Sequence, residues 1–61
     1  MSVNLVNESA VSCKQNAQRL RDLARSASDA DVQKMLLVAA HHLDVAVAEL
    51  DYILTGATVA T

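Results

Sequence analysis

The chain contains no proline, no phenylalanine and no tryptophan, one glycine (Gly56), one cysteine (Cys13) and, among large aromatics, only Tyr52. Each scarcity excludes something. A lone cysteine rules out an internal disulfide and a cysteine-rich zinc framework. Without proline, and with its glycine near the far end, the chain has no residue that would break a helix before position 56. The near absence of aromatics removes the stacking platforms on which single-stranded nucleic acid is usually read. The longest apolar run, residues 35–40, is far short of the ~20 residues that span a bilayer. The N-terminus carries no basic region followed by an apolar core, the mark of a secretory signal. A cytoplasmic chain without a membrane anchor is therefore expected.

What is present is mostly alanine, leucine and valine, a helical vocabulary. Sixty-one residues make one small domain, near the size at which a lone apolar core is marginal and oligomerisation commonly supplements it. The formal charge is −2 but unevenly spread. Residues 1–28 hold Lys14, Arg19, Arg21 and Arg25 against Glu8 and Asp22. Residues 29–61 hold Lys34 against Asp29, Asp31, Asp44, Glu49 and Asp51.

In the first half, apolar or small residues recur at Val3, Val6, Ala10, Cys13, Ala17, Leu20, Ala24 and Ala27. In the second they recur at Val32, Leu36, Ala39, Leu43, Ala46, Leu50 and Ile53. Both series alternate steps of three and four, the heptad pattern of helices that pack along their length. Between them, Ser28 and Asp31 have capping-box spacing, and Asp29 and Asp31 suit the positive end of a helix dipole. Gly56 can take the left-handed conformation that ends a helix. The expected fold is an all-α antiparallel hairpin: a helix over about 3–27, a turn at about 28–29, a helix over about 30–55 and a disordered tail over 57–61. Folding back at Ser28 sets equidistant residues opposite one another, so that Ala10 meets Ala46 and Ala17 meets Ala39.

A second stripe on the later helix, Leu36, Ala40, Leu43, Val47, Leu50 and Leu54, widens its apolar surface beyond what one partner helix covers. Leu37, Val38, Val45 and Tyr52 lie further round. Contiguous apolar surface of this kind marks interfaces. The stripe is expected to meet a second copy, giving a dimeric four-helix bundle, or to dock on another protein by the helix-in-groove mode.

The residues that could carry chemistry are few. Adjacent helical positions point about 100° apart, so His41 and His42 cannot grip one metal together. His41 with Asp44, or His42 with Cys13, would supply only two ligands per chain, and no metal or cofactor is expected. Cys13 occupies a seam position and reads as a small buried hydrophobe. Lys14, Gln18, Arg21 and Arg25 form a polar stripe on the first helix that could contact phosphates or a partner protein.

Paired helices with alternating small and large layers, joined by "SDAD", resemble the Rop-type plasmid copy-number regulators. That resemblance implies a dimeric bundle that binds RNA through its first helices, although the phenylalanine with which that family contacts RNA has no counterpart in a chain without Phe. The segment "VQKMLLVAAHHLDVAVAEL" is similar to the second helix of short sporulation-type aspartyl-phosphate phosphatases. Against their Ser-Gln-x-Leu-Asp signature the chain has Ala40, His41, His42, Leu43 and Asp44, with Leu43 and Asp44 matching. The stretch "LRDLARSASDADVQKMLLVAA" is also similar to small bacterial helical hairpins without assigned activity. The expected function is a non-catalytic interaction or regulatory module that self-associates through its second helix. The alternatives are an RNA-binding modulator using its first, and a response-regulator phosphatase acting through Asp44.

Overall fold

The computed structural model describes residues 3–59, and over them the chain forms two α-helices, α1 (Val3–Ser26) and α2 (Ala30–Val59). They pack against each other as an antiparallel hairpin, a rod with extents of 50 × 14 × 13 Å. The heptad of α1 becomes its packed face. Val6, Ala10, Ala17 and Ala24 are buried, with Cys13 and Leu20 half-buried between them. Val3, which begins the series, is exposed.

The turn decides the register. Asp29, not Ser28, caps α2: its Oδ1 accepts from the backbone N–H of Asp31 at 2.8 Å and of Val32 at 3.1 Å. Its carbonyl accepts the first helical hydrogen bond, from Gln33 N at 2.9 Å. A short carboxylate at this position satisfies donors that the helix start leaves open, and it faces the positive end of the dipole. At the other side of the turn, the Ala24 carbonyl accepts from Ala27 N at 3.3 Å and from Gln33 Nε2 at 3.0 Å. Gln33 thus closes the end of α1 from the start of α2.

The cap sits one residue later than the expected fold-back point, and the pairing of α2 shifts by one. Ala24 stands beside Gln33, and the burial pattern continues that spacing with Ala17 opposite Ala40 and Ala10 opposite Val47. The expected seam of Val32, Leu36, Ala39, Leu43, Ala46, Leu50 and Ile53 is kept in part, its alanines and leucines being half-buried, and its centre moves toward Ala40 and Val47. Val32 is 48% exposed and Ile53 is exposed, whereas Ala40 is 1% exposed and Val47 is buried.

The far end also differs from expectation. Gly56 does not terminate α2, which continues to Val59, and Gly56 holds no positive φ. No proline interrupts the backbone there, and glycine's freedom is not used. Of the expected disordered tail, residues 57–59 are helical; residues 60 and 61 lie outside the described residues. No helix among the described residues is long and apolar enough to cross a membrane.

The resulting core is thin. Among the described residues it comprises Val6, Ala10, Ala17, Ala24, Ala40 and Val47, and no large side chain is fully buried. Alanine layers let the helices approach closely, but each contributes little apolar area to burial.

Candidate interaction surface

The one-residue shift reassigns the stripe expected to meet a partner. Ala40 and Val47 are buried, and Leu36, Leu43, Leu50 and Leu54 are half-buried, within the single chain. They are the residues α2 turns toward α1. Of the six residues expected at a dimer interface, the hairpin itself covers Ala40 and Val47 and covers the four leucines in part.

The apolar surface left over lies on the outer face of α2. Met35 is 71% exposed and Tyr52 is 81% exposed, and Val38 and Val45 between them are also exposed. With His42 and Glu49 these residues follow alternating steps of three and four, so they share one side of the helix. Two shallow hollows mark this side. One is lined by Lys34, Met35, Val38, Ala39 and His42; the other by Val45, Ala48, Glu49, Tyr52 and Ile53. Their floors are apolar and each has one formally charged residue, Lys34 in the first and Glu49 in the second. Neither residue belongs to an ion pair among the described residues. This stripe is legible in the sequence as a third heptad, but His42 and Glu49 interrupt its hydropathy and mask it.

The basic stripe of α1 is largely committed within the chain. Arg21 Nη1 donates to Asp44 Oδ2 at 3.1 Å, tying α1 to α2, and Arg21 Nη2 donates to Gln18 Oε1 at 3.1 Å. Gln18 Nε2 donates to Asp22 Oδ1 at 3.0 Å, and Arg25 pairs with the same carboxylate oxygen. Lys14 is exposed outside this network. The Arg21–Asp44 pair is itself well exposed, so solvent screening leaves it worth roughly 0–1 kcal/mol. Its chemical consequence is larger than its energy. It occupies an oxygen of the carboxylate on which a phosphatase reading depends, and it offsets half of the stripe's arginine charge.

The remaining candidates stay apart. The His41 and His42 rings are 6.3 Å apart between centroids and tilted by 51°. Among the described residues, no three His, Cys, Asp or Glu side chains lie where they could together hold a metal ion. Cys13 is half-buried in the α1 seam. Among the described residues, the outer side of α2 carries two apolar hollows, one beside Lys34 and one beside Glu49, and a third hollow lies on α1 among Arg19, Asp22, Leu23 and Ser26. In comparisons with protein-family models, curated proteins and solved structures, nothing matches this chain.

Proposed function

We propose that this protein is a non-catalytic interaction module that self-associates through α2. The observation that carries this reading is the disparity between its two apolar surfaces. The inner seam buries six residues, four of them alanine, while the chain exposes Met35, Leu37, Val38, Val45 and Tyr52 on a single helix. Burying a large apolar side chain is worth roughly 1.5–3 kcal/mol relative to leaving it wet. A hairpin this small gains more from covering its outer face than from anything left to pack inside. The nucleic-acid alternative has less support, because Gln18, Arg21 and Arg25 engage one another, Asp22 and Asp44. Light scattering or sedimentation at micromolar concentration tests the reading, with a mass of at least two chains expected. A mass of 6.5 kDa across the accessible range overturns it.

A further inference from the structure

We infer that the occupant of α2's outer face is a second copy of the chain lying antiparallel, with Lys34 of each copy against the partner's Glu49. This rests on the self-association reading and adds orientation and register to it. Three observations carry it.

The first is charge. Lys34 lies in one hollow and Glu49 in the other, on the same side of one helix, and neither belongs to an ion pair among the described residues. A parallel two-fold would set lysine against lysine and glutamate against glutamate. An antiparallel two-fold sets each lysine against a glutamate, twice, because an isologous interface repeats every contact. Opposed potentials of this kind select orientation and register more than they add affinity.

The second is register. Lys34 and Glu49 are equidistant from a point between His41 and His42. About that point Val38 stands opposite the partner's Val45, and Met35 opposite the partner's Ala48. Apolar meets apolar and large meets small, which is how packed layers fill volume. Tyr52 then falls opposite the partner's Asp31, whose carboxylate is an acceptor for a phenol O–H. The charge match and the packing match come from the same register.

The third is length. About that point residues 30–53 of the two copies overlap, roughly 36 Å of helix at 1.5 Å per residue, most of the length of a rod 50 Å long.

The test is charge exchange, read as the dissociation constant from sedimentation equilibrium at low salt, where surface charge is least screened. Helical circular dichroism of every variant is recorded alongside. Lys34→Glu and Glu49→Lys should each weaken self-association about tenfold, since each variant turns two attractive contacts into repulsive ones. The double variant K34E/E49K should return to within about threefold of the wild type, and an equimolar mixture of the two single variants should associate as a heterodimer. Because recovery in the double variant reads association after two substitutions, misfolding of a single variant cannot imitate it. If the wild type associates but the double variant is no tighter than either single one, this arrangement is overturned while self-association stands. Single variants as tight as the wild type overturn it in the same way. A wild type that remains one chain, or that binds only a foreign protein, overturns both.

Discussion

The two helices of this hairpin share a heptad but differ in what stands behind it. On α1 the positions away from the seam are mostly Asn, Gln, Ser and charged residues, a surface that water satisfies, with Leu5, Val11 and Leu23 set singly among them. On α2 the corresponding positions include Met35, Val38, Val45 and Tyr52 along one side, with His42 and Glu49 between them. Scattered apolar residues on a surface are ordinary, whereas several large ones along one side of a helix mark a candidate interface. Folding back covers the seam of α1 and leaves Met35, Val38, Val45 and Tyr52 of α2 exposed. The chain is asymmetric because α1 spends its apolar residues once, while α2 has enough for two sides.

The most forceful way to break the comparison is to place the same charge on the two sides of α2. Ala40→Glu puts an unpaired carboxylate where the side chain is 1% exposed. It should cost several kcal/mol and abolish the cooperative thermal transition. Val38→Glu, two residues earlier on the exposed side, should keep the helical circular dichroism signal at high concentration while lowering the mass in solution. Equal loss of helix in both would mean that the two sides are not distinct. A smaller effect separates outer faces: Tyr52→Ser should weaken association measurably by sedimentation, whereas Val11→Ser on α1 should stay within about 0.5 kcal/mol of the parent in chemical denaturation.

The ends of α2 give finer tests. Asp29→Ala removes the cap seen at the turn and should cost about 1 kcal/mol, against a few tenths for Ser28→Ala. The reverse order in a urea titration would restore Ser28 as the cap. Gly56→Ala should stabilise by about 0.5–1 kcal/mol, because the residue is helical and an added Cβ meets nothing within 4 Å. Loss of stability instead would mark Gly56 as a helix terminator. Arg21→Gln, which releases the exposed pair with Asp44, should cost no more than about 1 kcal/mol in the same titration.

Much of this architecture can be read from residue order. The spacing of Val6, Ala10, Cys13, Ala17, Leu20 and Ala24 specifies the packed side of α1, and α2 begins at the expected position, Ala30. Gly56 was harder to read because glycine permits a left-handed end without requiring one, and only the continuing helix shows which occurred. Gln33 gave no signal, since a glutamine at a helix start looks like any exposed polar residue until its amide reaches the Ala24 carbonyl.

By itself, then, the order of residues determined two helices, a short acidic turn and the face with which α1 packs. The reason is that periodicity and capping chemistry act locally, within a few residues of one another. Which side of α2 meets α1 was decided by tertiary structure, because Ser28 and Asp29 are both competent caps and only the closed turn selects between them. That choice turns α2 by part of a residue's angle, since Leu36, Leu43 and Leu50 belong to the packed side in either register. It draws Ala40 and Val47 inward and leaves Met35, Val38, Val45 and Tyr52 on the outside.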